Sequence, residues 1–239
     1  MGVLLLAMTA CAGADRVEKK TLVVFAAASL QATFAEVEAE FEAENPGVDV
    51  KLSFGGSSDL VTQILGEAPV DVFASADLAT MAKLGDRAID PQDFATNTLQ
   101  IVVPPGNPAG IETFDDLAAA DLRLVVCAAD VPCGSATQKV AAAAGVELSP
   151  DSQEQSVTDV LGKVVAGEAD AGLVYVTDVA AAGDTVEGIA FPEAASVVNT
   201  YPIARVQGAE QEELARAFIE MVLGETGRRV LGDAGFGTP

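Results

Sequence analysis

Apolar residues along the chain follow two alternating patterns, short continuous runs and longer segments with helical spacing. Residues 21–27 form a continuous apolar run, as expected for a strand that is buried on both faces. Residues 30–44 carry apolar side chains at positions 30, 34, 37 and 41, which share one face of a helix. Asn45, Pro46 and Gly47 then predict the end of this helix.

The same alternation continues to the end of the chain and predicts an α/β fold. Strands are predicted at residues 21–27, 48–54, 70–74, 99–103, 122–128, 171–176 and 204–206. Helices are predicted at residues 30–44, 114–120, 134–144, 157–166, 210–223 and 225–231, with two more through Leu60 and Ile64 and after a capping Asp77. Strands that alternate with helices in this way predict mainly parallel sheets flanked by helices.

The length of 239 residues accommodates two α/β units of roughly 100 residues each. We predict a lobe I formed by residues 21–97 and 200–239, a lobe II formed by residues 98–199, and a ligand cleft between them. Residues 1–10 are interpreted as a signal segment. Residues 11–20 are interpreted as a tether, because after Cys11 they are largely polar and lack periodicity.

The composition excludes several classes of function. Acidic residues number 36 against 13 basic residues, so the net charge is −23 and the surface repels nucleic acid, which is bound through Lys and Arg. The chain contains no His, which removes His-dependent nucleophilic catalysis and His metal sites. This net charge also repels an anionic ligand at long range, so such a ligand must be held by local donors in a closed site.

The N-terminal residues indicate export and attachment to a membrane. Residues 2–10 are apolar but much shorter than the roughly 20 residues that span a bilayer, so they are interpreted as the end of a secretory signal. Cys11 directly follows Thr9 and Ala10, an arrangement that resembles the bacterial lipoprotein box. The resemblance implies that Cys11 becomes the lipidated first residue. An ordinary cleaved signal followed by an incidental Cys is the alternative.

Three strand-to-helix corners carry candidate binding groups, at Ser29, at Ser57 and at Cys133. In parallel α/β sheets, ligands bind beyond the carboxyl ends of the strands. Helix N-termini at this edge present free backbone N–H groups and roughly half a positive charge, so they bind anions without Lys or Arg. Each corner taken alone is also explained by helix capping, and Ser29 is predicted at an N-cap position.

Six short motifs follow one another along the chain. They are residues 24–30 (Val-Phe-Ala-Ala-Ala-Ser-Leu), 54–58 (Phe-Gly-Gly-Ser-Ser), 68–77 (Ala-Pro-Val-Asp-Val-Phe-Ala-Ser-Ala-Asp), 131–134 (Val-Pro-Cys-Gly), 170–175 (Asp-Ala-Gly-Leu-Val-Tyr) and 201–204 (Tyr-Pro-Ile-Ala). In this order they resemble the periplasmic molybdate-binding proteins of bacterial ABC transporters, over essentially all of residues 21–239. The resemblance implies a two-lobed periplasmic-binding-protein-like fold and capture of molybdate or tungstate for an ABC importer.

The resemblance also implies a set of ligand-binding residues. Ser29 and Ser57 match two serines that give hydroxyl and backbone N–H groups to the oxyanion. Cys133 and Val157 match backbone donors, although Cys133 stands where the family usually has Ala. Tyr175 matches a phenol that donates from the second lobe.

The family also implies the partners and the location of the protein. We expect no cofactor, no metal site beyond the molybdenum of the oxyanion, and no enzymatic activity. We expect a monomer that delivers its ligand to a membrane permease, either on the outer face of the cell membrane or in the periplasm.

The chemistry of the ligand is compatible with a site made only of donors. Molybdate is a dianion without a proton at neutral pH, whereas phosphate keeps a proton and requires a buried acceptor. Sulfate needs only donors and differs mainly in size, so sulfate and phosphate are alternative ligands. A hydrolase with Ser29 or Ser57 as its nucleophile is a remote alternative, because the chain has neither His nor a Ser-x-x-Lys motif.

Cys127 and Cys133 lie six residues apart and flank the third corner. Paired cysteines in an exported protein usually oxidise, so we predict a disulfide that stiffens the loop presenting the Cys133 N–H. Two buried thiols are the alternative.

Overall fold

The structure is a computed structural model that describes residues 19–239. The predicted signal segment, the lipidation site at Cys11 and most of the predicted tether lie outside the described residues. Within residues 19–239, none of the helices combines the length and the hydrophobicity that a membrane span requires.

Five strands from the two ends of the described chain form a first sheet. They are β1 (Lys20–Ala27), β2 (Val48–Gly55), β3 (Val72–Ala74), β4 (Ala88–Asn97) and β10 (Asn199–Val206). Their order is β2-β1-β3-β10-β4. β1 is parallel to β2 and β3, whereas β10 is antiparallel to β3 and β4.

A second sheet is formed by the central part of the chain. Its strands are β5 (Leu99–Val103), β6 (Leu124–Cys127), β7 (Ser152–Glu154), β8 (Ala171–Tyr175) and β9 (Glu187–Ile189). Their order is β7-β6-β8-β5-β9. β6 is parallel to β7 and β8, whereas β5 is antiparallel to β8 and β9.

Helices flank both sheets. They are α1 (Gln31–Glu44), α2 (Ser57–Leu65), α3 (Leu78–Ala82), α4 (Pro132–Ala144), α5 (Val157–Val165), α6 (Val176–Ala182), α7 (Glu212–Leu223) and α8 (Glu225–Asp233). Buried aromatic side chains join α1 to α7, since the Phe218 ring lies edge-on to those of Phe34 and Phe41 at 6.0 and 5.3 Å. These contacts cover one face of the first sheet.

The two-sheet α/β architecture follows the prediction, but each sheet is mixed rather than mainly parallel. The chain passes between the sheets twice, at residue 98 and through residues 190–198. β4 runs almost directly into β5 without a crossover helix, and β10 returns beside β4 as its antiparallel partner. The predicted late strand at residues 204–206 is therefore only the end of β10.

The prediction missed β4, β7, β9 and α6. β4 contains Asp90, whose φ is 51°, followed by Pro91. Its pairing with β10 shifts in register near this point. β4 lies at the edge of the first sheet, where a Pro and a bulge are tolerated and the usual alternation of apolar residues is lost.

The predicted helix at residues 114–120 was wrong. The structure has a single 3-10 turn, Asp115–Ala118, and Ala119 is already extended. The Asp116 carboxylate accepts hydrogen bonds from the backbone N–H groups of Glu112 and Thr113 at 2.9 and 2.8 Å. These bonds fix the start of the turn, and the extended Ala119 ends it before a second turn forms.

Candidate functional site

A small cavity lies between the two sheets, where strands end and helices begin. Its lining residues are Ala27, Ala28, Ser29, Gly55, Gly56, Ser57, Ala76, Val131, Pro132, Cys133, Gln155, Ser156, Val157 and Tyr175. None of these residues, all within the described part of the chain, carries a charge. The cavity volume is about 20 Å³, compared with the roughly 10–15 Å³ that one water needs. The cavity therefore suits a ligand of only a few heavy atoms.

All five residues of the predicted binding set line this cavity. Ser29 and Ser57 come from lobe I, at the ends of β1 and β2. Cys133, Val157 and Tyr175 come from lobe II, where they start α4, start α5 and end β8. The structure thus brings together groups that are far apart in sequence, and their role in binding stays a prediction.

The helices α2, α4 and α5 begin at the cavity. The N-caps of α2 and α4 are Gly56 and Val131, and within the described residues neither helix has a capping side chain. The first backbone N–H groups of a helix have no partner inside the helix. Those of α2 and α4 are therefore available to a ligand, and each helix adds a partial positive charge.

α5 differs from α2 and α4 because it has a capping side chain. The Ser156 hydroxyl accepts a hydrogen bond from the backbone N–H of Asp159 at 3.2 Å. Val157 follows Ser156 directly, and its backbone N–H stands at the start of the helix and at the cavity wall. Capping by Ser156 fixes where α5 begins and so positions this donor.

The predicted capping role of Ser29 was wrong. Ser29 lies inside a 3-10 turn, Ala28–Leu30, and the N-cap of α1 is Leu30. The Ser29 hydroxyl lies instead 3.1 Å from the Tyr201 hydroxyl, within hydrogen-bond distance. The 3-10 turn shifts the start of α1 towards the C-terminus, which releases this hydroxyl from capping. Asp77, by contrast, caps α3 as predicted, through the backbone N–H of Thr80 at 2.7 Å.

The hydroxyl groups of Ser57 and Tyr175 are buried and both accept a hydrogen bond from the protein. The Ser57 oxygen accepts from the backbone N–H of Ala76 at 3.1 Å. The Tyr175 oxygen accepts from the side-chain amide of Asn199 at 3.0 Å. Burial raises the pKa of Tyr175 well above its ordinary value, so its phenol stays protonated and can act as a donor.

A disulfide joins Cys127, at the end of β6, to Cys133 in the first turn of α4. The loop that it closes is tightly packed, because a Cβ added to Gly134 would overlap the backbone carbonyl groups of Ala128 and Cys127. The covalent bond and this close packing both restrict the backbone that presents the Cys133 N–H to the cavity.

The two lobes touch each other beside the cavity. The Ser58 hydroxyl of lobe I donates a hydrogen bond to the Asp130 carbonyl oxygen of lobe II at 2.8 Å. The Lys83 ammonium donates to the same carbonyl oxygen and to the Ser58 hydroxyl, both at 3.3 Å. On the cavity wall, Gly56 packs so closely on the Gln155 carbonyl group that a Cβ would overlap it. The structure therefore has the lobes closed over the cavity.

A buried carboxyl group lies behind Tyr175. Asp178 accepts a hydrogen bond from the Tyr175 backbone N–H at 2.8 Å. Burial raises the pKa of Asp178 to about 7, although this hydrogen bond acts in the opposite direction. The carboxyl group holds the junction of β8 and α6, and thereby the Tyr175 side chain, in position.

Sequence reasoning missed Ala76, Gln155 and Ser156 in the cavity wall and Asn199 behind it. Ser156 could have been found, because Ser156 and Asp159 stand three residues apart before an apolar helical pattern, which is a helix-start signal. Asn199 had no local signal, since its partner Ala76 lies 123 residues away. Among residues 19–239, no group of three or more His, Cys, Asp or Glu side chains is placed to hold a metal ion.

Comparisons with known proteins agree with this architecture. Residues 22–237 match the family described as bacterial extracellular solute-binding protein. The chain is 51% identical over 223 residues to the molybdate-binding protein ModA of Mycobacterium tuberculosis, covering 92% of this chain and 85% of that protein. It is 32% identical over 244 residues to ModA of Escherichia coli, covering 95% and 93% of the two chains. The fold matches the periplasmic molybdate-binding protein of Azotobacter vinelandii with a TM-score of 0.78 and 21% identity, covering 91% of this chain and 99% of that one.

Proposed function

The chain belongs to the family of bacterial extracellular solute-binding proteins, and we propose that it captures molybdate for an ABC importer. The observation that carries this proposal is a small cavity between the lobes that offers hydrogen-bond donors and, within the described residues, no charged side chain. A fully deprotonated oxyanion presents only acceptors and matches such a wall. The similarity to proteins named for molybdate binding favours molybdate among these oxyanions.

In the proposed binding mode the oxyanion first docks on lobe I, at the hydroxyl and backbone N–H groups of Ser29 and Ser57. Lobe II then closes and adds the backbone N–H groups of Cys133 and Val157 and the phenol of Tyr175. Bonds from neutral donors to a charged group are stronger than bonds between neutral groups. Five such positions therefore hold a dianion without a cation.

The overall net charge of −23 does not oppose this binding mode. At physiological ionic strength, exposed charges more than about 8 Å apart are largely screened. The donors at the cavity act at contact distance, where screening is weak. The acidic surface slows the approach of an anion and leaves the closed complex stable.

The finer parts of the proposal concern the ligand range and the cell. Tungstate has the same charge and tetrahedral shape as molybdate, so we propose that it binds as well. We propose that residues 21–97 with 200–239 and residues 98–199 move as two lobes, and that the closed monomer is recognised by a membrane permease. Lipidation of Cys11 would hold the protein at the outer face of the cell membrane. The protein acts as a carrier without catalysing a reaction.

Isothermal titration calorimetry of the purified protein with molybdate, tungstate, sulfate and phosphate tests the proposal. We expect one-to-one binding that is tight for molybdate and tungstate and much weaker for sulfate and phosphate. Ser29→Ala should weaken molybdate binding by roughly tenfold through loss of one donor to a charged group. Ser149→Ala, at an exposed position, is the matched control and should bind like the unmodified protein. Preference for sulfate or phosphate would refute the ligand assignment, and failure to bind any oxyanion would refute the function.

A further inference from the structure

Asn199 occupies the point where the chain returns from lobe II to the first sheet. It is the first residue of β10, and its register partner is Asn97, the last residue of β4. Both asparagines are buried, with exposed fractions of 6% and 5%. Buried amides are retained where their hydrogen bonds are satisfied, and the two amides have different partners.

The Asn199 amide uses its nitrogen to join the two lobes. Nδ2 donates one hydrogen bond to the Ala76 carbonyl oxygen and one to the Tyr175 hydroxyl oxygen, both at 3.0 Å. An amide nitrogen can only donate, so the Tyr175 oxygen must accept. The Tyr175 hydroxyl hydrogen is therefore directed away from Asn199, towards the side on which the Tyr201 hydroxyl and the cavity lie.

The second buried hydroxyl of the cavity is fixed through the same residue, Ala76. The Ala76 carbonyl group is held by Asn199, and the Ala76 N–H donates to the Ser57 oxygen at 3.1 Å. A backbone N–H is also a pure donor, so the Ser57 hydroxyl hydrogen is likewise free for the cavity. One asparagine thus anchors the contacts that turn both hydroxyl groups into donors.

Hydroxyl groups can ordinarily donate or accept a hydrogen bond. A site lined by unrestricted hydroxyls would therefore bind an oxyanion oxygen with or without a proton. Here both hydroxyls already accept from pure donors. Each hydroxyl therefore keeps its hydrogen and only one further lone pair. An oxyanion oxygen that keeps its proton must compete for that single lone pair, and a poor fit leaves buried polar groups unpaired. Specificity often arises from such a cost to the wrong ligand.

We propose that Asn199 is a specificity-determining residue that orients the Tyr175 hydroxyl as a donor to the ligand, so that the site disfavours oxyanions that keep a proton. The inference rests on the proposed function, since it concerns the choice among oxyanions at the same cavity. Asn199 acts through Tyr175 and Ala76 and lies outside the cavity wall.

The test compares Asn199→Leu with Asn97→Leu. The Asn97 amide is equally buried and donates to the Thr177 hydroxyl at 2.8 Å, and it bonds the Tyr201 hydroxyl rather than that of Tyr175, which makes it the control for the Tyr175 contact. Calorimetry at neutral pH gives the Kd of molybdate and of phosphate for each protein. We expect the ratio of the phosphate Kd to the molybdate Kd to fall by about tenfold or more in Asn199→Leu and to stay unchanged in Asn97→Leu. Asn199→Ala serves the same purpose if the leucine variant does not fold.

A double-variant comparison separates positioning from loss of stability. Tyr175→Phe should weaken molybdate binding by about tenfold or more in the unmodified protein and by clearly less in the Asn199 variant, because the two residues act through one hydroxyl. An unchanged ratio in the Asn199 variants, or an equal fall in Asn97→Leu, would overturn the inference while the proposed function stands. If the unmodified protein bound no oxyanion, the proposed function and this inference would both be wrong.

Discussion

Replacing Gly56 by Ala adds a methyl group at the place where the two lobes meet. Gly56 has φ −59° and ψ 131°, a conformation that Ala adopts without strain, so lobe I itself should be unaffected. The new Cβ would lie well within 3.0 Å of the Gln155 carbonyl oxygen of lobe II, closer than Cβ atoms approach other atoms in real proteins. A backbone group cannot rotate away as a flexible side chain does. The lobes must therefore stay apart by most of an ångström.

The size of the effect follows from the donors that lobe II contributes. A hydrogen bond between N or O atoms has a length of about 2.7–3.2 Å, so such a separation breaks or strongly weakens those of Cys133, Val157 and Tyr175. Each bond to a charged group contributes about 1.5–3 kcal/mol. Loss equivalent to one or two bonds raises the Kd for molybdate by about 100-fold.

Calorimetry gives the Kd, and small-angle X-ray scattering gives the radius of gyration with and without molybdate. We expect Gly56→Ala to bind about 100-fold more weakly and to show less compaction than the unmodified protein. Gly162→Ala is the control, because a Cβ added there meets no atom within 4 Å. An unchanged Kd with full compaction in Gly56→Ala would refute the argument that closure brings lobe II onto the ligand.

Three further predictions concern the groups around the cavity. Lys83→Met removes the ammonium that donates to the Asp130 carbonyl oxygen across the lobes. Because an exposed hydrogen bond contributes about 0.5–1 kcal/mol, the molybdate Kd should rise two- to fivefold. A calorimetric Kd equal to that of the unmodified protein would contradict this prediction. Replacing both Cys127 and Cys133 by Ala should lower the free energy of unfolding in urea by roughly 2 kcal/mol, because the disulfide restricts the unfolded chain; equal stability would indicate that the bridge is absent. Asp178→Asn tests the raised pKa: the folded protein keeps this proton up to about pH 7, whereas the unfolded chain releases it near the ordinary value of 3.8. Stability contributed by the protonated carboxyl should therefore be lost as the pH rises between these values, by up to about 1.4 kcal/mol per pH unit. Urea denaturation at several pH values should show that the free energy of unfolding of the Asn variant rises relative to that of the unmodified protein over this range. A constant difference between the two proteins would refute the raised pKa.

The segments that build the cavity could be predicted because their signals are local. A continuous apolar run marks β1 and an alternating pattern marks β2. Small residues and a Ser follow each of these strands, and both corners lie at the cavity. Val157 and Tyr175 entered the predicted set through the family resemblance, since a Val side chain has no donor and nothing local marks one Tyr as part of a site. The resemblance therefore supplied the part of the site that residue chemistry alone left open.

Other features depend on contacts that no local pattern reports. β4 lacks an alternating pattern because it is an edge strand with Pro91 and a shift of register. The helix expected at residues 114–120 is replaced by a turn, because Ala119 already leaves the helical conformation. The hydroxyl of Ser29 pairs with Tyr201, which is 172 residues away in sequence, and this pairing could not be inferred from a helix-start motif.

Anomalous X-ray scattering at the molybdenum absorption edge, from crystals grown with molybdate, tests most directly whether this cavity is the binding site. We predict one molybdenum peak between the lobes, with oxyanion oxygens about 2.7–3.2 Å from the hydroxyls of Ser29, Ser57 and Tyr175 and from the backbone N–H groups of Cys133 and Val157. A peak elsewhere on the protein, or a bound oxyanion held by Lys or Arg side chains, would contradict the proposed binding mode.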